Sequence, residues 1–105
     1  MIKLITVEKF SVFNYDNLSE ELKGSFNKSL AQKLTSMVEA IKHDDVLGSI
    51  AVDAFVSSNG TSANAATVVG ELYSRISGGI QAGSGNQNLF HSALYAITQA
   101  WDEIN

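Results

Sequence analysis

Apolar residues change their spacing along this chain, and each change predicts a different element. At the start they alternate. Ile2, Leu4 and Thr6 fall on one side of an extended chain, Ile5 and Val7 on the other; beyond Lys9, Phe10 and Val12 oppose Phe13 and Tyr15. Period-two spacing with β-branched and aromatic residues predicts a β-strand, bent near Glu8 to Phe10. A lone strand leaves its backbone groups unpaired, so this one requires a partner.

From Asp16 the period lengthens. Asp16-Asn17 is turn chemistry, and Ser19 is a good N-cap with Glu20 and Glu21 placed favourably against the helix dipole. Leu22, Phe26, Leu30, Leu34, Val38 and Ile41 follow at helical intervals. They predict one amphipathic helix of about six turns, ending near Lys42–Asp45. The aromatic run followed by "YDNLSEEL" is similar to the start of various small uncharacterised proteins of phages and mobile elements, a likeness confined to strand, turn and cap.

"DDVLGSIAVDAFVSS" supports two readings. Val46, Leu47, Ile50, Ala51, Ala54 and Phe55 fit a helix capped by Asp44 or Asp45, whereas Ile50, Val52, Ala54 and Val56 fit a strand that would pair with the first. More positions fit the helix. "SSNGTSAN" reads as a loop. Thr61 or Ser62 then caps a helix carrying Ala65, Val68, Val69, Leu72, Tyr73 and Ile76, with Gly78-Gly79 as its terminator. After a glycine-rich loop, Asn86 or Asn88 caps a last helix with Leu89, Phe90, Ala93, Leu94, Ile97, Trp101 and Ile104 inward. The fold expected is α+β and mostly helical, a single domain over residues 1–105: an N-terminal β-strand, one long amphipathic helix, then two or three shorter helices around one core. If residues 50–56 are helical, the strand finds its partner across an isologous homodimer, with Phe10, Val12 and Phe13 as the self-association positions.

Composition narrows the chemistry. With no cysteine, disulfides, thiolate metal sites and cysteine nucleophiles are all excluded. No signal peptide is visible and no apolar run approaches the roughly 20 residues that span a bilayer, so a soluble, cytoplasmic protein without membrane contact is expected. Eleven acidic residues against seven basic ones give a formal charge of −4. Direct nucleic-acid binding is not expected, because it calls for clustered lysine and arginine. Here the lysines are spread through the first 42 residues, and Arg75 is the one arginine. From Asp44 onward a single base faces Asp44, Asp45, Asp53, Glu71, Asp102 and Glu103, an asymmetry suited to a partner with a basic surface.

The glycine loop fits neither of the common phosphate motifs. A P-loop needs Lys and Ser/Thr after its last glycine; Gly78 and Gly83 have the right separation, but Ser84 and Gly85 follow. The dinucleotide fingerprint fails as well, since Asn88 stands where its third glycine belongs and the loop follows a helix. A connector is the simpler reading. His43, Asp44 and Asp45 are adjacent, a poor arrangement for one metal ion, and no serine sits in a nucleophile elbow. The carboxylate pairs fall at helix ends, where capping explains them. Neither catalytic residues, a metal site nor a cofactor is assigned.

Three classes of function remain as expectations. The first is a small acidic, non-enzymatic binding protein that inhibits or neutralises a protein partner by surface occlusion, in the manner of immunity, anti-CRISPR or antitoxin proteins, with Asp44, Asp45, Asp53 and Glu71 as contacts. The second is a self-assembling structural or accessory subunit of a phage or mobile element, joined through the N-terminal strand. The third is a small-molecule enzyme or sensor using the glycine loop.

Overall fold

The computed structural model describes residues 15–83 and 85–104. Among them the chain is helical and contains no β-strand, which overturns the α+β assignment. The strand read at residues 1–14, with Phe10, Val12 and Phe13, lies outside the described residues. Tyr15, read as its last position, instead opens a 3-10 turn, Tyr15–Asn17. The Leu18 N–H closes this turn on the Tyr15 carbonyl at 3.0 Å. The strand alternative for residues 50–56 also fails, because Val52–Ser57 is helix.

Helix α1, Glu20–Leu34, begins as its cap predicts: Ser19 Oγ accepts from the Leu22 N–H at 3.2 Å, and Glu20 and Glu21 occupy the first turn. Phe26, Leu30, Ala31 and Leu34 are buried. The single long helix expected here is broken. A 3-10 turn, Thr35–Met37, separates α1 from the short α2, Val38–Lys42. Thr35 Oγ1 donates to the Ala31 carbonyl at 3.0 Å, a back-bond that bends helices. Met37 then leaves helical geometry at φ −119°, ψ 7°. Four-residue spacing gives a reason for the break: each step over-rotates by roughly 40° on a helix of 3.6 residues per turn, so a straight rod could not keep all six apolar positions inward. Leu22, expected inward, is accordingly 39% exposed, whereas Ile41, beyond the break, is buried.

Residues 44–51 form turns rather than the first part of a helix. Gly48 N–H donates to the Asp44 carbonyl at 2.8 Å and Ile50 N–H to the Leu47 carbonyl at 3.1 Å. Helix α3, Val52–Ser57, follows. Leu47, Ile50, Val52 and Phe55 all enter the core.

Helix α4, Ala65–Ala82, starts after Asn64 without a side-chain cap, so neither Thr61 nor Ser62 plays the expected part. It also runs through Gly78-Gly79 and ends at Gly83, whose φ of 69° is the left-handed C-cap geometry that glycine adopts without steric cost. Helix α5, Gln87–Ile104, is capped by Asn86, whose Oδ1 accepts from the Leu89 N–H at 3.1 Å. Helices α1, α4 and α5 pack around one core. Phe26 meets Trp101 edge-on with ring centres 6.2 Å apart, and Phe90 and Leu94 of α5 are fully buried. The buried polar Asn27 is satisfied by the Tyr15 hydroxyl, which donates to Asn27 Oδ1 at 2.8 Å.

Candidate interaction surface

Of the four acidic positions singled out in the sequence, Asp44 and Asp45 lie in one loop, residues 43–51, Asp53 follows it in α3, and Glu71 is on α4; they do different work. Asp44 is half-buried and structural: its Oδ1 accepts from the backbone N–H groups of Val46 at 2.7 Å and Leu47 at 2.9 Å. Asp45 beside it is exposed. Asp53, in the first turn of α3, is exposed and lies 3.7 Å from Lys42 Nζ, which sits at the same distance from Glu39. Lys42 thus offers one positive charge to two carboxylates, which leaves a net negative charge there. Glu71 is exposed on α4, one turn before Arg75.

Arg75 is what sequence reasoning missed. Its guanidinium donates to the Val46 carbonyl at 2.9 Å and contacts Ser49 Oγ. This pins the loop to α4 and directs the one cation after Lys42 toward protein oxygens. The signal available in the sequence was its isolation: a single arginine among the acids of the C-terminal half. Among the described residues, no group of three Asp, Glu or His side chains could hold a metal ion.

Glu103, by contrast, is paired. Its carboxylate accepts from Ser29 Oγ at 3.0 Å and forms an ion pair with Lys33, which itself donates to Ser29 at 3.0 Å. The bond from Lys33, then that from Ser29, holds its carboxyl below the ordinary carboxylate value. This links α1 to α5. An open depression of about 300 Å³ lies alongside, lined by Gln99, Asp102 and Glu103.

The glycine loop is a packing joint. A Cβ at Gly79 would overlap the Phe90 ring, and one at Gly85 would stand 2.7 Å from Phe90 Cζ. Gln87 Nε2 donates to the Gly79 carbonyl at 3.0 Å. Gly79 and Gly85 thus make room for an aromatic ring at the turn between α4 and α5. Of the four glycines, Gly78 and Gly79 lie inside α4, and Gly83 and Gly85 fall between α4 and α5. His43 is exposed with Nε2 3.8 Å from Glu39, and His91 is exposed on α5.

No family model, curated protein or solved structure matches this chain. No helix among the described residues is long and apolar enough to cross a membrane.

Proposed function

We propose that the protein is a small acidic binding protein, without catalytic activity, that inhibits or neutralises a cytoplasmic protein partner by covering a basic surface on it. The observation that carries this reading is the loop end of the molecule. Asp45 and Asp53 stay exposed there, Glu71 is exposed on α4 one turn before Arg75, and Arg75 is engaged with Val46 and Ser49. A loop held by Asp44 on one side and Arg75 on the other is pre-organised, which lowers the entropic cost of docking. Exposed charges steer encounter and set specificity rather than supplying most of the affinity. The role belongs to the class of immunity, anti-CRISPR-like and antitoxin proteins, which act by occupying a functional surface.

The test is quantitative capture from an extract of the encoding organism, using the wild type and the Asp45→Lys/Asp53→Lys/Glu71→Lys variant. The reading expects a partner with a basic functional surface that the wild type retains and the variant loses, with thermal stability unchanged between the two. Equal retention by both proteins refutes the acidic surface as the contact.

A further inference from the structure

Among the described residues, Asn59 is the one non-glycine residue with a positive φ, at 58°. It follows α3 and closes that helix. Its N–H donates to the Val56 carbonyl at 3.0 Å, and the Gly60 N–H donates to the Phe55 carbonyl at 2.8 Å. These bonds satisfy carbonyls that a helix end leaves open, with asparagine in the left-handed position usually held by glycine. Gly60 has a φ of 83° and is buried, and a Cβ there would overlap the Asn27 carbonyl of α1. Asn59 itself is exposed. Asn59-Gly60 is also the single Asn-Gly pair in the chain.

That pair carries chemistry of its own. Gly60 has no Cβ to shield its backbone nitrogen, and this nitrogen can attack the side-chain carbonyl carbon of Asn59. We propose that Asn59 is a site of spontaneous deamidation to aspartate and isoaspartate, gated by the C-terminal cap of α3. In the first step a bond forms between Gly60 N and Asn59 Cγ. The Cγ–Nδ2 bond breaks, and ammonia departs with the Gly60 amide proton. Water then opens the cyclic imide. Addition at Cγ leaves aspartate in the normal chain; addition at the main-chain carbonyl leaves isoaspartate, whose chain runs through Cβ and Cγ.

The cap opposes the first step. The nitrogen that must give up its proton donates it to Phe55, and Gly60 is seated against the α1 backbone, so reaction requires the turn to open. Losing two hydrogen bonds of ordinary net strength lowers the population of the open turn by about ten- to a hundredfold. The product does not rebuild the cap. Isoaspartate lengthens the main chain by one carbon, which displaces the Gly60 N–H from Phe55, and either product places a negative charge at a helix C-terminus, where the dipole disfavours it. Conversion therefore loosens the joint between α3 and α1. This inference does not rest on the acidic surface.

The experiment ages the full chain at one fixed pH and follows Asn59 by peptide mapping with mass spectrometry, separating aspartate from isoaspartate by elution. Wild type is compared with Ser58→Ala/Thr61→Ala and with Asn59→Gly. Ser58 Oγ donates to the Phe55 carbonyl, and Thr61 donates its N–H to Ser58 Oγ and its hydroxyl to the Ser58 carbonyl. The double variant thus slackens the turn and keeps the Asn59-Gly60 pair, with circular dichroism confirming retained helix. Each rate is divided by that of the same chain unfolded in guanidinium chloride, which removes neighbouring-residue effects. In the unfolded wild type Asn59 should convert ahead of every other asparagine. In the folded wild type it should convert about ten- to a hundredfold more slowly, with the double variant in between. The converted fraction, isolated by its added charge, should melt below the unconverted one, and Asn59→Gly should yield no such fraction. Equal rates in folded and unfolded wild type overturn the gate, a comparison that needs no substitution, as does a folded double variant as slow as the wild type. A folded chain in which Asn59 stays intact while other asparagines convert overturns the site itself.

Discussion

Gly78 and Gly79 are neighbours in α4, yet a methyl group added to each acts in opposite directions. At Gly78 a Cβ meets nothing within 4 Å, so alanine contributes only its better helix propensity, about 1 kcal/mol. At Gly79 the same carbon overlaps Cε2 of Phe90 and lies 2.8 and 2.9 Å from Cδ2 and Cζ. Phe90 is fully buried, so its ring has no free space to move into. Overpacking of this kind costs about 1–3 kcal/mol. Propensity changes equally at both sites, and the difference between the two variants therefore isolates the packing penalty, with Gly79→Ala the less stable. Urea unfolding followed by Trp101 fluorescence and circular dichroism measures it, provided the denaturant slopes agree. On heating, each kcal/mol corresponds to about 4–8 °C for a domain near this size. Trimming the ring in a Gly79→Ala/Phe90→Leu double variant should recover part of the loss, as expected of residues in contact. If Gly79→Ala is as stable as Gly78→Ala, the packing account of the glycine loop is wrong.

Other consequences follow from individual contacts. Asp44→Ala removes the acceptor for two backbone donors and should cost about 1–2 kcal/mol by chemical denaturation, whereas Asp45→Ala should stay within about 0.5 kcal/mol of wild type; a reversal of that order would contradict the division of labour between them. Tyr15→Phe leaves buried Asn27 Oδ1 without its donor and should cost about 1–3 kcal/mol, with Tyr15→Phe/Asn27→Leu less destabilised than the single change. Glu103 is held below its ordinary value of 4.5 by Lys33 and Ser29, so its stabilisation is present above that value and lost as pH falls through the folded value. Glu103→Gln should therefore be less stable than wild type near neutral pH and converge with it in acid, read as melting temperature against pH. Curves that stay parallel would show that the pairing does not contribute.

What the sequence made legible was local. Ser19 with Glu20 and Glu21 marked the start of α1, and the spacing of Phe26, Leu30 and Leu34 marked its buried face, because both signals lie within a few turns of one helix. Leu22 extended the same spacing but is 39% exposed, since four-residue steps drift around a rod, whereas Val38 packs against the core only because the helix breaks before it. Asp44 looked like a helix cap and is instead a turn cap, because Gly48 closes the turn on the Asp44 carbonyl. The glycines misled for a different reason. Gly79 is required by a ring that lies beyond the turn, and propensity reads such a residue as a helix end. Arg75 reaches a carbonyl 29 residues away in sequence, a contact that no local pattern encodes. Of the candidate surface, the acidic residues could be named from composition; the pinning of the loop required the fold.

Occlusion itself is tested most directly by titrating the captured partner with the wild type and with the Asp45→Lys/Asp53→Lys/Glu71→Lys variant at low and high salt, while following the partner's own activity. Surface electrostatics are screened over about 8–10 Å at physiological salt, so complex formation by an acidic surface should weaken as salt rises. The account predicts that the wild type suppresses the activity stoichiometrically at low salt, less so at high salt, and that the variant leaves it intact. A partner that stays fully active when saturated, or a variant that inhibits as well as the wild type, would contradict it.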